Sequence, residues 1–277
     1  MTEINNIQIG EKEAEEIISA IYDHSGFDFL NYSQPSLIRR FQRYVDTKKI
    51  PNVNTLLEIL GENPDKLNEF IEEITVNVTE MFRDPYFFKT LREKVLPELK
   101  EHSPIRIWHA GCSTGEEVYS LAILLKEENL LQQSIIYATD INQSVLDAAR
   151  RGAYSEDNIK LYGYNYKESE SKGRFEDYYE FKNGEAVIIE PLKEKIIFSS
   201  HNLVSDGPFN KFDLVVCRNV LIYFNKDLQN NVLNTFYQSL NPRGFLALGS
   251  KENIMLSPIV EKMETFHSQF KVWRRKE

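Results

Sequence analysis

The sequence has two cysteines, Cys112 and Cys217, in 277 residues. Two thiols cannot build the multi-bridge framework of a small secreted domain. With the polar, acidic opening MTEINNIQIGEKEAEE they argue for a reducing cytoplasm and against a secretory leader. No apolar run is long enough to span a bilayer, so no membrane insertion is expected. Basic residues are in deficit: 33 Lys and Arg stand against 42 Asp and Glu, a net charge of −9. That counts against a general nucleic-acid binder, though it leaves room for a local basic patch. Phosphate signatures are missing as well, since neither GxxxxGK[ST] nor GxGxxG occurs. CxxC and HExxH are also absent, so His109, Cys112, His201 and Cys217 are read as structural and no metal is expected.

What is present is an ordinary globular composition, 42% hydrophobic and 27% charged, long enough for a sizeable core. The first part reads as helical. Ala14, Ile17, Ile18, Ile21 and Tyr22 recur at helical spacing, and Gly26 follows as a stop. Leu37, Ile38, Phe41, Tyr44 and Val45 make a second stripe. Shorter helices are expected over 54–60 and 64–75. Arg39, Arg40 and Arg43 put basic charge on the second helix, either a solvated face or a docking face for an acidic partner. A connector, VNVTEMFRD, leads to Asp84–Pro85, the pattern of an N-cap followed by proline at the first helical position.

From residue 105 the pattern alternates between strand and helix, which implies a mostly parallel sheet. Strands are expected near 105–110, 134–139, 196–201, 212–217, 244–249 and 267–274, the last an antiparallel edge. Helices are expected near 115–128, 142–151 and 227–240. IRIWHAGCSTGEEVYS runs from a strand through a small-residue turn into a helix, and IIYATD ends a second strand on Asp140. This is how a doubly wound sheet builds a nucleoside pocket, with the acid on the ribose hydroxyls. Glu116 and Glu117 stand where a phosphate would want positive charge. A pocket that suits a nucleoside and repels phosphate points to S-adenosylmethionine.

Asp140 could alternatively cap the helix that starts near Asn142, and Glu116 and Glu117 could simply complement a helix dipole. Arg218 and Asn219 emerge after the strand FDLVVC at the sheet's carboxyl edge, with Tyr223 five residues on. His201, Asn202 and Leu203 follow the strand IIFSS, where a polar group and an amide can read an adenine edge. The stretch 152–195 breaks the alternation. It reads as an inserted β-subdomain, at about 171–195, with a hairpin turning at Asn183–Gly184.

NVTEMFRD (77–84), AGCSTGEEVYSLA (110–122), ATDIN (138–142), CRNVLIYF (217–224) and the helical N-terminal part together resemble CheR-type chemotaxis receptor methyltransferases, over about residues 10 to 275. The resemblance implies an α/β class I (Rossmann-like) methyltransferase sheet with an N-terminal all-helical domain and a small inserted β-subdomain. It divides the chain into 1–84, for receptor recognition, and 85–277, for S-adenosylmethionine. It implies methyl transfer from S-adenosylmethionine to glutamate side chains on the cytoplasmic helices of chemoreceptors, leaving S-adenosylhomocysteine, by an enzyme expected to act as a monomer.

Carried over position by position, Asn77, Thr79, Arg83, Glu117, Asp140, Asn202, Leu203, Arg218 and Asn219 would contact the cofactor, with Arg83 at its carboxylate. Arg218 and Tyr223 would lie nearest the methyl, and Arg39, Arg40 and Arg43 would meet the receptor. Some members tether a receptor's C-terminal pentapeptide through the insertion at a glycine-bearing loop. Here FKNGEAVII holds only Gly184, which counts against that tether.

A glutamate acceptor is already ionised at neutral pH, so the reaction needs no general base. Sulfonium and carboxylate become thioether and neutral ester, so strong stabilisation of the carboxylate would slow transfer. Positioning and exclusion of water are what the protein must supply. Three rival readings use the same sheet: a small-molecule methyltransferase, a nicotinamide-dependent dehydrogenase, and a regulator that senses the cofactor without turnover.

Overall fold

The computed structural model describes residues 8–75 and 79–277. They form two compact units. One takes in the described residues up to Thr75 together with Ile222–Gln229, and the other takes in 79–221 and 230–277.

The first unit is built on four helices: α1 (Glu11–Ser25), α2 (Gln34–Lys48), α3 (Val53–Glu62) and α4 (Pro64–Ile74). Each starts where the sequence allows it. Asn52 caps α3 through the Thr55 amide, and Asn63 caps α4 through the amides of Asp65 and Lys66. The expected apolar stripes meet in one core that includes Ile17, Ile21, Phe41, Leu56 and Phe70, while Tyr22 stays exposed. At about 1.5–3 kcal/mol for each large buried side chain, this packing rather than helix propensity holds the short helices together.

The second unit opens with α5 (Pro85–Thr90), a single π turn over Leu91–Val95, and α6 (Leu96–Leu99). Pro97 has no amide to donate to an i→i−4 bond, which would ordinarily disturb a helix. The chain instead widens to an i→i+5 bond, Leu96 N to Leu91 O, and continues past it.

A seven-stranded sheet follows: β1 (Ile105–Ala110), β2 (Ser134–Asp140), β6 (Ile196–Ser200), β7 (Phe212–Cys217), β8 (Leu240–Leu248), β9 (Met263–His267) and β10 (Val272–Arg275). Their order is β6-β2-β1-β7-β8-β10-β9. The first five run parallel, and β10 and β9 are antiparallel. Helices α7 (Glu116–Glu127), α8 (Gln143–Arg151) and α11 (Lys226–Ser239) alternate with the strands.

The order reverses at β1, whose neighbours are β2 and β7. Ligands of open α/β sheets bind beyond the carboxyl ends of strands at such a reversal. Burial of every residue of β7 and of most of β1 gives the near-continuous apolar runs of strands covered on both faces.

Two expectations about the C-terminal strands need correction. The segment 267–274 is not one edge strand: a turn separates β9 from β10, with Lys271 at φ 53° and the Phe270 amide on His267 Nδ1. The edge is β9, and β10 is paired on both sides. The turn carries neither glycine nor proline, so alternation runs through it unmarked. Strand β8 also begins at Leu240 rather than 244, because Leu240 pairs with Phe212 before the register shifts.

A three-stranded antiparallel sheet, β3-β5-β4, comprises β3 (Ala153–Ser155), β4 (Tyr179–Lys182) and β5 (Glu185–Ile188), turning at Asn183 and Gly184. It reaches back to residue 153, ahead of the stretch expected from the sequence. Between β3 and β4 lies α9 (Glu156–Glu168), which the tyrosine-rich composition concealed. Its signals were the Ser155 cap on the Asn158 amide and buried Ile159, Tyr162 and Tyr166 at helical spacing. A short α10 (Glu190–Lys193) leads on to β6.

Candidate active site

The turn after β1 is fixed by what a side chain would strike. Gly111 has φ 72°, and a Cβ there would sit 2.4 Å from Val220 Cγ2. Gly115 has φ 91°, with Ala149 Cβ 3.0 Å from where its own would be. The amides of Gly111 and Cys112 both donate to Thr139 O, at 2.8 and 2.9 Å.

The Asp140 carboxylate accepts from the Ser113 amide at 2.8 Å and from the Asn142 amide at 3.1 Å. Asp140 is not the cap of α8. Asn142 is, through the Ser144 amide. Burial raises the Asp140 pKa, and the surrounding amides offset only part of that. The His201 amide donates to Asp140 O, so the β6 end abuts the same acid. Two buried atoms there have no partner, Asn142 Nδ2 and His201 Nδ1.

Glu116 and Glu117 open α7 and diverge. The Glu116 carboxyl receives Thr114 Oγ1 at 2.7 Å and Tyr162 OH at 3.3 Å, and burial pushes its pKa up to about 7. Glu117 lies between His109 Nε2, at 3.1 Å, and Arg218 Nη1, at 2.5 Å. Burial would raise its pKa, but Arg218 and then His109 outweigh it, and the net shift is downward. A helix dipole alone does not account for either residue.

Arg218 leaves β7 with only 2% of its side chain exposed. Its Nη2 meets Asp84 Oδ2 at 2.5 Å, its Nη1 also reaches Arg83 O, and its guanidinium lies 4.0 Å from the Phe87 ring centroid. Asp84 therefore does not cap α5, as its sequence context suggested. It sits at φ 58°, makes no side-chain cap, and spends its carboxylate on Arg218. Two acids therefore converge on this arginine, with Arg83 also acting on Glu117, an arrangement of paired charges rather than the cationic cradle a phosphate would need. Asn219 follows at φ 60°, with its amide on Glu252 Oε2 at 3.0 Å.

The remaining expected residues are distributed unevenly. Thr79 and Arg83 are half-buried in the connector, and Asn77 lies outside the described residues. Asn202 and Leu203 are half-buried after β6. The Asn202 amide and Oδ1 are used within the loop, on Asp206 and Val204. Tyr223 falls in the helical unit, where Ser33 N donates to its carbonyl and Arg40 lies 4.5 Å from its ring centroid. Arg40 also donates to Ile74 O, whereas Arg39 and Arg43 are exposed.

Cys112 and Cys217 are buried, and burial raises both thiols well above their usual range, which leaves them unreactive. Among the described residues no three His, Cys, Asp or Glu side chains gather as a metal would require. Two residues with structural roles here were missed by sequence reasoning, Asp84 as an ion-pair partner and Glu252. An acid just after a buried strand, in GSKEN, was the available signal for the second.

Residues 77–270 match the family described as CheR methyltransferase, SAM binding domain, and residues 12–75 match its all-alpha domain. The chain belongs to the CheR methyltransferase family. A Pseudomonas putida protein named as a methyltransferase, Cher3, is 42% identical over 99% of this chain and 100% of its own. A chemotaxis protein methyltransferase of Borreliella burgdorferi is 34% identical over 90% of each chain. Chemotaxis protein methyltransferase 1 of Vibrio cholerae is 35% identical over 93% of this chain and 94% of its own.

This CheR methyltransferase takes its methyl group from S-adenosylmethionine, and its residues fit that donor. A carboxylate ends β2 where ribose hydroxyls need an acceptor, two buried nitrogens beside it lack partners, and the acids at the switch point suit a cationic ligand.

Proposed function

We propose that the chain methylates glutamate side chains on the cytoplasmic helices of chemoreceptors, in the cytoplasm, with the site residues in the following roles. Asp140 holds the ribose hydroxyls, and Asn142 and His201 offer nitrogens to the adenosine. Glu117 faces the cofactor's ammonium group, and Arg83 its carboxylate. S-adenosylmethionine supplies an electrophilic methyl carbon on a cationic sulfur.

Arg218 holds Glu117 in place rather than clamping the acceptor. Its guanidinium is buried and already neutralised by two carboxylates. That suits a reaction that discharges its acceptor, because a free buried cation would overstabilise the incoming glutamate. Tyr223 is the acceptor-side residue, and the four-helix unit with exposed Arg39 and Arg43 is the recognition domain.

The observation that carries this reading is the charge array Glu117–Arg218–Asp84 beside a glycine turn that lacks any phosphate signature. The test is transfer of labelled methyl from S-adenosylmethionine to receptor cytoplasmic fragments. Label released as methanol by mild base identifies an ester. Label that stays on the protein after base treatment, or that moves only to small molecules, removes the glutamate assignment. Turnover by Tyr223→Phe equal to that of the parent would remove Tyr223 from the site.

A further inference from the structure

Glu252 does no chemistry in the scheme above, yet its carboxylate is committed wholly to the backbone. It lies in the loop after β8 and is 4% exposed. Its Oε2 accepts from Gly249 N at 2.6 Å and Asn219 N at 3.0 Å, and its Oε1 accepts from Val220 N at 2.9 Å. Asn219 sits in the left-handed region at φ 60°, an uncommon conformation for a residue with a side chain. The neighbouring turn depends on the same geometry, since Val220 Cγ2 occupies the space beside Gly111 that a Cβ would need.

A single buried carboxylate thus fixes the direction in which the chain leaves β7, immediately after Arg218. The geometry points to Glu252 as a positioning residue for cofactor binding, which sets the aim of Arg218 and Asn219 by clamping the Asn219 and Val220 amides. This rests on the proposed role of Arg218 in holding Glu117 for the cofactor, and on Asn219 as the cofactor contact that the family resemblance implies.

Glu252→Gln keeps the volume but leaves one side of the carboxylate facing backbone N–H groups with another N–H. The dissociation constant for S-adenosylhomocysteine, measured by calorimetry on the full chain, should rise about tenfold or more, as expected when amides lose a charged acceptor. The KM for S-adenosylmethionine should rise with it, and kcat should fall less. Gly249→Ala is the second variant. Its Cβ would lie 2.7 Å from Glu252 Oε2 and 2.9 Å from Asn219 N, which loosens the clamp with Glu252 retained, and affinity should fall in the same direction.

Glu127→Gln is the control. It removes the charge and one oxygen of a buried carboxylate that accepts from Arg92 and Tyr166 in the same unit, so it should lower Tm and leave affinity unchanged. Parental affinity in folded Glu252→Gln overturns the assignment, and so does an equal loss of affinity in Glu127→Gln. If Glu252→Gln does not fold, Gly249→Ala decides: weaker binding supports the clamp, and parental binding overturns it. A parent chain that fails to bind S-adenosylhomocysteine sinks the underlying cofactor reading instead.

Discussion

The Ser113 amide donates to Asp140 Oδ2 across 2.8 Å, so the acid that ends one strand holds the turn that follows its neighbour. Ser113 itself sits at φ 49°, and the carboxylate helps keep it there. Asp140 therefore shapes the turn as well as being the acceptor proposed for ribose. Asp140→Ala should lower S-adenosylhomocysteine affinity by at least about tenfold and cost about 1–3 kcal/mol of stability, the penalty for stranding two amides. Calorimetry and urea unfolding measure the two effects, and undiminished affinity refutes the ribose role.

Glu116 sets a pH dependence with a definite sign. Its carboxyl titrates at about 7 in the folded chain against 4.5 ordinarily. Between those values the unfolded chain has released a proton that the folded chain still holds. Stability therefore falls as pH rises through this window and levels off above it. At 1.36 kcal/mol per unit, the loss is of the order of 3 kcal/mol. Glu116→Gln removes the titration and keeps the volume between Thr114 and Tyr162. Urea unfolding at pH 5 and pH 8 should show the parent losing ground to the variant at the higher pH. A pH-independent difference would rule this out.

The three arginines of α2 should separate into two kinds. Arg39 and Arg43 are exposed, so reversing both to glutamate should leave fold and S-adenosylhomocysteine affinity intact while receptor methylation falls by about tenfold or more. Arg40 donates to Ile74 O and stacks near Tyr223, and burial lowers its pKa. Arg40→Ala should instead destabilise the helical unit, by about 1–3 kcal/mol. Methylation assays of receptor fragments, paired with thermal melts, distinguish the two. Full methylation by the double charge reversal would remove the docking face.

Most of the sheet was legible because buried parallel strands are short apolar runs punctuated by turns. The ends of β1 and β7 fall where the residue pattern puts them. The layout of the candidate site was legible wherever a motif is local: the turn from Gly111 to Glu117, Asp140 at the end of β2, and Arg218 with Asn219 after β7. It was illegible where partners come together only in the fold. Asp84 has the sequence context of a helix cap, and only its left-handed backbone and the approach of Arg218 make it an ion-pair partner. Glu252 lies 33 residues beyond Asn219, and no periodicity links them. Helix α9 was hidden because tyrosine at helical spacing also suits a strand.

Glu117 and Asp84 hold the same guanidinium from opposite degrees of burial, and this should govern their substitution. The Glu117 side chain is 9% exposed and that of Asp84 is 46%. Glu117→Gln leaves a buried arginine with one partly solvated partner, a situation that costs about 3–5 kcal/mol. It also removes the charge assigned to the cofactor's ammonium group. Asp84→Asn breaks a bridge that water already screens, worth about 1 kcal/mol or less. Thermal melts should therefore rank Glu117→Gln far below Asp84→Asn, and calorimetry should find S-adenosylhomocysteine binding reduced strongly in the first and little in the second. Equal losses in both would mean that Arg218, rather than Glu117, governs the cofactor's affinity.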